Sequence, residues 1–503
     1  MRPLAPEFRP YAWAPSTEEL ARHAGLDPSE IVRFDGNVPP LPLPTSRPAT
    51  VAGALAHINE YPHGGYPELI AAIAAYAGVE PENVVLGAGA DDLILLVARA
   101  FAGDGDTVAI ANEPTYPLYR IAAGLAGATI GDDDPVLTFC CRPNNPTGSV
   151  DPLPAARPLV VDEAYVEFCD DDGAAGLLDD GVIVIRTFSK AFGLAGARVG
   201  YALASADVAA ELNTRQAPLA VATPSAALAL AALGSPPDLG PLIEERERLA
   251  EELRVLGYAP LPSQTNFLYV PVDDAAEVAA RLLARGCVPR VYDDAIRITV
   301  RDREDDDLIL AALAGADAPA GRSVRHLRAT AETTLRVRLR LDGASRVRVA
   351  TGAGLYDHFL EQLAFHAGLD LVLEGSGDAE TGDHHTAEDS AIALGEALDR
   401  ALGTRSGIAR YGDAVVPMDD ALARAAVDLG GRRASVIELE HDPGLAKHVL
   451  QSLADSGRLC IHVESTGEDP HHVAEAAFKA TGRALRAALR QDGALVPSTK
   501  GIL

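Results

Sequence analysis

Lysine is nearly missing from this chain. It occurs four times in 503 residues, at Lys190, Lys447, Lys479 and Lys500, and arginine supplies every other basic side chain. A lysine kept under such pressure is a candidate for chemistry that a permanently charged guanidinium cannot do, such as imine formation. Cysteine is scarce and odd in number, five residues with Cys140 and Cys141 adjacent, which does not make a disulfide framework. Positive charge is in deficit: 43 Lys and Arg against 72 Asp and Glu leave a net −29. That balance argues against a nucleic-acid binder relying on phosphate neutralisation and favours bound cations or a strongly hydrated surface. No apolar run approaches the roughly 20 residues that span a bilayer. The first residues, MRPLAPEFRPYAWAP, hold no stretch of signal-peptide type. The expected location is the cytoplasm.

What is present is ordinary globular composition, 48% apolar and 23% charged. At roughly 150 residues per domain, the length allows about three folding units. Residues 1–313 alternate β-branched runs with helical periodicity, as in ENVVLGAGADDLILLVARAF (82–101) and VIVIRTF (182–188), which indicates α/β architecture with a largely parallel sheet. AGADAPAGRSV (314–324) has no periodic pattern and reads as a linker. Beyond it, TTLRVRLRLDG (333–343) alternates like a half-buried antiparallel strand. The C-terminal part also repeats itself. HHTAEDSAIALGEALDRAL (384–402) and HHVAEAAFKATGRALRAAL (471–489) agree at ten of nineteen positions, which implies a duplicated α+β unit.

Lys190 lies after a strand in RTFSKAFGLAGARVGYAL (186–203), downstream of RPNNPTG (142–148) and LVVDEAYVEF (159–168). Pyridoxal phosphate chemistry requires a lysine for the Schiff base, an aspartate to keep the pyridine nitrogen protonated, and donors to the phenolate oxygen. Asp162, ending an apolar strand, suits the second role, and Asn145 and Tyr165 the third. GAGADD (87–92), with Ala90 and Asp91, offers backbone N–H groups to a phosphate. Thr187, Ser189 and Arg198 complete the cradle, and Tyr116 is placed to stack on the ring. In this order the elements resemble the fold type I aminotransferases, and most closely histidinol-phosphate aminotransferase, from about Asp35 to Val300. The resemblance implies that Tyr61, in YPHGGYPELIAAI (61–73), reaches a neighbouring subunit's cofactor, and that Arg297, in RITV (297–300), grips the anionic end of the substrate. It also implies a large domain over about 45–235, with 1–44 and 236–313 forming a small one. The chain departs from the family pattern at GNVPPLP (36–42) and in its short stretch between Gly148 and Leu159.

Ten of the thirteen histidines lie between His326 and His472. In each repeat, adjacent histidines on a helix project about 100° apart, so one H-H-x-x-E serves two ligand-binding directions. His384, His385, Glu388, His471, His472 and Glu475 suit a first-row divalent ion. ATAETT (329–334), TGAGLYDHFLEQLAFH (351–366), SGIARYG (406–412), VPMDDAL (416–422), DLGGR (428–432) and PSTKGIL (497–503) accompany them. Over 325–503 the chain resembles imidazoleglycerol-phosphate dehydratase. That resemblance implies two Mn²⁺ per site and adds His358 and His448 to the ligands. It gives Glu332 and Lys479 catalytic roles, and it places Gln362, His366, Arg410, Arg432, Ser498 and Lys500 on the substrate. His441 and His462 read as ordinary surface or strand residues, and Lys447 as surface.

The expected fold class is therefore an α/β fold type I aminotransferase, with a mixed, mostly parallel sheet and a small α+β domain, followed by a duplicated α+β dehydratase domain. The resemblances imply consecutive steps of histidine biosynthesis, with small-molecule substrates, no nucleic acid and no membrane. They also imply a homo-oligomer, built from aminotransferase dimers and a large cubic assembly of the dehydratase. The competing expectations are an aminotransferase for a different keto acid, or one half kept only as an assembly module.

Overall fold

Continuous apolar runs form the centre of the first large sheet in a computed structural model, which describes residues 8–10, 14–38, 40, 53–56, 58–62, 64–315, 322–343, 345–377 and 382–493. The chain divides into two compact units, Met1–Ala318 and Pro319–Leu503. In the first, seven strands comprise β2 (Val84–Gly87), β3 (Thr107–Ile110), β4 (Thr129–Ile130), β5 (Leu137–Cys141), β6 (Leu159–Asp162), β7 (Val182–Thr187) and β8 (Gly200–Leu203). Their order is β2-β8-β7-β6-β5-β3-β4. Strand β8 runs antiparallel to both neighbours and every other pair is parallel. Strands β5, β6 and β7 are buried at every position, as strands covered on both faces must be. Consecutive strand residues point to opposite faces, so Cys140 enters one core and Cys141 another. Their adjacency is pleat geometry.

The C-terminal ends of the parallel strands share one edge, which is where α/β sheets gather their functional loops. A second sheet, ordered β1-β10-β11-β9, joins β1 (Val32–Phe34) to β9 (Phe267–Pro271), β10 (Cys287–Val291) and β11 (Ala295–Thr299). Chain segments more than 230 residues apart thus build one small sheet. Helix α1 (Ala90–Phe101) follows β2 across the glycine turn.

The second unit shows the duplication in its topology. Strands β12 (Ser323–Ala329), β13 (Thr333–Arg340), β14 (Val347–Ala350) and β15 (Asp370–Gly377) are ordered β12-β13-β15-β14. Strands β16 (Tyr411–Met418), β17 (Ala421–Asp428), β18 (Ala434–Leu439) and β19 (Cys460–Thr466) are ordered β16-β17-β19-β18, with the same parallel and antiparallel pairings. Alternation makes β13 bury Leu335, Val337 and Leu339 on one face. Among the described residues each copy carries two helices, α2 (Gly354–Ala367) and α3 (His384–Leu402) in the first, α4 (Ala446–Ser456) and α5 (Pro470–Leu489) in the second. They pack across the copies, α2 on α5 and α3 on α4, over one continuous apolar core. Strand β12 begins at Ser323, so it takes the last two positions of the stretch expected as linker; residues 316–321 lie outside the described residues.

Two candidate active sites

The loops at the C-terminal edge of the first sheet enclose a cavity of about 330 Å³. Ala90, Asp91, Tyr116, Asn145, Asp162, Tyr165, Thr187, Ser189, Lys190, Arg198 and Arg297 all line it. Burial, and then the neighbouring Arg297, lower the Lys190 amine to about 8. Its Nζ donates to the Gly36 carbonyl at 3.2 Å. Burial raises the Asp162 carboxyl to about 6, even though the Tyr119 hydroxyl donates to its Oδ2 at 2.7 Å and the Ala164 N–H to its Oδ1 at 3.1 Å. A cationic nitrogen brought to that carboxylate would oppose the burial effect.

The glycine turn before α1 borders the same cavity, through Ala90 and Asp91. Gly89 is the N-cap of α1 at φ 86°, with no side-chain cap, and a Cβ there would come within 2.8 Å of Arg198 Nη2. Arg198 Nη2 also donates to Asp91 Oδ2 at 3.1 Å, and Tyr116 Oη donates to Asp91 Oδ1 at 3.0 Å. Arg297 donates to Asn145 Oδ1 at 2.5 Å, to Tyr292 Oη at 3.2 Å and to the Asp35 carbonyl at 2.8 Å. Among the described residues, its buried Nε has no hydrogen-bond partner. Because Arg297 holds the Asn145 amide by its oxygen, the amide nitrogen is the end left to donate. Tyr61 is 77% exposed and does not line the cavity.

Several participants escaped the sequence reading. Asn37 donates from Nδ2 to Tyr165 Oη at 2.9 Å across 128 residues of chain, and Arg290 and Tyr292 line the cavity beside Arg297. Beneath it, Glu163 is fully buried and paired with Arg186 at 2.9 Å. Arg186→Met leaves that buried carboxylate without its counter-ion, holding only the Ala174 N–H, with an expected loss of about 3–5 kcal/mol. A fall in the urea midpoint of the first unit's transition measures it.

The second unit gathers four of its histidines in two trios, each drawing on both copies. His358 on α2 meets His471 and Glu475 on α5, while His448 on α4 meets His384 and Glu388 on α3. Within each trio the ligand atoms lie within 4.8 Å of one another. The two are near replicas. Glu475 Oε2 is 3.6 Å from His358 Nε2 and 3.2 Å from His471 Nε2; Glu388 Oε2 is 3.3 Å from His448 Nε2 and 3.6 Å from His384 Nε2. Among the described residues, the buried Nε2 of His448 has no hydrogen-bond partner, which leaves its lone pair available to a cation. Two imidazoles and one carboxylate, with coordination positions left open, fit a divalent first-row metal.

His385 and His472 belong to neither trio. The His384 and His385 rings stand at 90° to each other, and His385 instead faces Glu332, with Nδ1 3.6 Å from Oε2. His472 bonds Asp420 at 2.6 Å, a residue the sequence reading did not single out. Lys479 donates to Glu475 Oε1 at 2.8 Å, and burial followed by Lys479 lowers the pKa of His366 on α2. Gln362 is half-buried on the same helix and Arg432 is exposed. Arg410 is paired with Asp428 through Nε at 2.7 Å and Nη2 at 3.0 Å. Ser498 and Lys500 lie outside the described residues.

Comparison with known proteins matches both units. A family model described as aminotransferase class I and II covers residues 30–132 and 132–313, and one described as imidazoleglycerol-phosphate dehydratase covers 351–485. The imidazoleglycerol-phosphate dehydratase of Methanothermobacter thermautotrophicus is 48% identical over 184 residues, 35% of this chain and 95% of that protein. That of Methanococcoides burtonii is 43% identical over 190 residues, 36% of this chain and 100% of that protein. The chain belongs to both families. Its aminotransferase unit is similar in structure to a histidinol-phosphate aminotransferase from Sinorhizobium meliloti in complex with pyridoxal-5'-phosphate. The TM-score is 0.53 at 26% identity, covering 62% of this chain and 97% of that one. In the dehydratase unit both trios stand on helices within or bordering the matched residues. Among the described residues, no helix of either unit is long and apolar enough to cross a membrane.

Proposed function

We propose that the chain is a bifunctional enzyme for two consecutive steps of histidine biosynthesis. The dehydratase unit converts imidazole glycerol phosphate to imidazole acetol phosphate with two Mn²⁺. The aminotransferase unit then transfers the amino group of glutamate to that product, yielding histidinol phosphate and 2-oxoglutarate. The observation that carries this reading is the joining of the two families in one chain, since the ketone made by one unit is a substrate for the other.

The cavity fits pyridoxal phosphate by the cradle at Gly89, the buried Asp162 and the amine of Lys190. When bound, the cofactor supplies an electron sink for charge developing at the amino acid's α carbon. Lys190 Nζ, lowered to about 8, holds the cofactor and then moves the α proton. Asp162 keeps a proton on the ring nitrogen, Asn145 and Tyr165 donate to the phenolate oxygen, and Arg198, Ser189, Thr187 and the first turn of α1 hold the phosphate. Arg297 receives either the phosphate of the keto substrate or a carboxylate of glutamate, since a planar guanidinium pairs bidentately with both. Tyr61, exposed on its own chain, serves a partner subunit's cavity.

In the dehydratase unit, divalent metal ions, when bound, would supply Lewis acidity toward the substrate. The trios, with His385 and His472, hold them, and Glu332 moves protons at the reacting carbon. Lys479 faces the departing hydroxyl, His366 and Gln362 touch the substrate, and Arg410, Arg432, Ser498 and Lys500 neutralise its phosphate. The chain forms a homo-oligomer in which aminotransferase units pair and dehydratase units build a large cubic assembly, whose symmetry includes two-fold axes; a light-scattering mass equal to a simple dimer would overturn that assembly.

Purified chain incubated with pyridoxal phosphate, Mn²⁺, imidazole glycerol phosphate and glutamate is expected to yield histidinol phosphate. Chelation is expected to stop the sequence at imidazole glycerol phosphate, while added imidazole acetol phosphate is still transaminated. Accumulation of imidazole acetol phosphate in the complete mixture would assign the aminotransferase a different keto substrate.

A further inference from the structure

The duplication allows equivalent positions in the two copies to be compared directly. The β12–β13 hairpin closes on Thr330 and Thr333, joined by an N–H···O bond of 2.9 Å, so its turn residues are Ala331 and Glu332. The β16–β17 hairpin closes on Met418 paired with Ala421, with Asp419 and Asp420 in the turn. Glu332 and Asp420 therefore hold the same place, second in a two-residue turn. Each faces the second histidine of its own H-H-x-x-E: Glu332 Oε2 lies 3.6 Å from His385 Nδ1, and Asp420 Oδ1 lies 2.6 Å from His472 Nδ1.

The two equivalents are held in opposite ways. Asp420 Oδ2 also accepts the backbone N–H groups of Glu468 at 2.6 Å and Asp469 at 2.9 Å, so both oxygens tie the turn to the start of α5. In the first copy the tie comes from the helix instead. Asp389 on α3 accepts from Arg328 Nε at 3.0 Å and Nη2 at 2.7 Å, and from Thr333 Oγ1 at 2.5 Å. The repeat places Ala476 where Asp389 would be in the second copy. Relieved of that duty, the Glu332 side chain is 53% exposed.

An imidazole whose Nδ1–H is donated to a carboxylate keeps its lone pair on Nε2. We propose that Asp420 is a positioning residue of the dehydratase metal site, holding His472 in the tautomer whose Nε2 can ligate a divalent cation. Asp389 takes over the structural tie in the first copy and leaves the Glu332 carboxylate to carry protons. Duplication thus supplied two equivalent turn carboxylates, and one became an anchor. The inference rests on the reading of the histidines as metal ligands.

Titration of the chelator-stripped full chain with Mn²⁺, following free Mn²⁺ by its paramagnetic resonance signal, tests it. Asp420→Asn retains an oxygen for the Glu468 and Asp469 N–H groups, but turns its NH₂ toward Nδ1 and drives the ring proton to Nε2. One class of Mn²⁺ sites is expected to weaken by about 10- to 100-fold, with an unchanged melting temperature. Asp420→Glu restores an acceptor and recovers most of that affinity. Asp389→Asn slows dehydration while Mn²⁺ binding stays at the wild-type level. Wild-type affinity in Asp420→Asn overturns the inference. Failure of the unaltered chain to bind Mn²⁺ overturns the metal reading beneath it, so the two failures are distinguishable.

Discussion

Replacing Lys190 by alanine is expected to reduce transamination by about 10⁴-fold or more and to leave dehydration at the wild-type rate. The amine lines the cavity with Asp162 and Tyr165 and lies 5.7 Å from the centre of the Tyr165 ring. No other described side chain of that cavity is a primary amine. Arginine at 190 fails as completely, because a guanidinium neither forms the imine nor gives up a proton near neutrality. Absorbance of the bound cofactor is the direct check: the visible band of the lysine adduct disappears while dehydration of imidazole glycerol phosphate continues. The depressed amine adds a pH signature. A lysine lowered to about 8 gains its neutral form as pH rises through that value. Cofactor capture by stripped enzyme should therefore quicken from pH 6 toward 8 and level off above it. A capture rate independent of pH over that range would contradict the assigned titration.

The second large effect is expected in the other unit. His471→Ala removes an imidazole whose Nε2 lies 3.2 Å from Glu475 Oε2. Dehydration should fall by well over the roughly 100-fold that outer-shell changes cost, and one class of Mn²⁺ should be lost, while transamination of supplied imidazole acetol phosphate is unaltered. His384→Ala, in the replica trio, should do the same to the other class. Normal metal content in either variant would remove that trio from the metal site. With the Lys190 variant, these substitutions form a double dissociation within one polypeptide, and each loss has the untouched unit as its folding control.

What could be read in the sequence follows from how far each signal travels along the chain. Asp162 and Lys190 were legible because Asp162 ends the apolar strand β6, Lys190 follows β7, and lysine is otherwise so rare. The pairs His384–Glu388 and His471–Glu475 were legible from i, i+4 spacing alone. Asn37 was not: its bond to Tyr165 depends on β1 joining strands that come more than 230 residues later. Tyr119 and Arg186 sit in largely apolar runs, and only the fold shows that their polar ends meet Asp162 and Glu163. The histidine pattern announced two directions of ligation. It did not announce that α2 packs on α5 and α3 on α4, because helix periodicity defines a face and not the helix that will cover it.

That exchange of helices has a consequence for how the dehydratase unit can be divided. Neither trio can be completed within one copy, because each takes one histidine from the copy that holds neither of its other two ligands. A solitary copy would be ligand-poor at any concentration of metal and would need a second polypeptide to finish each cluster, so occupancy would fall on dilution. Tethering the copies makes that encounter unimolecular, at an effective concentration in the millimolar range for a short connection. Cleavage between α3 and β16 would restore the bimolecular dependence, so metal retention by the nicked protein should depend on protein concentration while that of the intact chain does not.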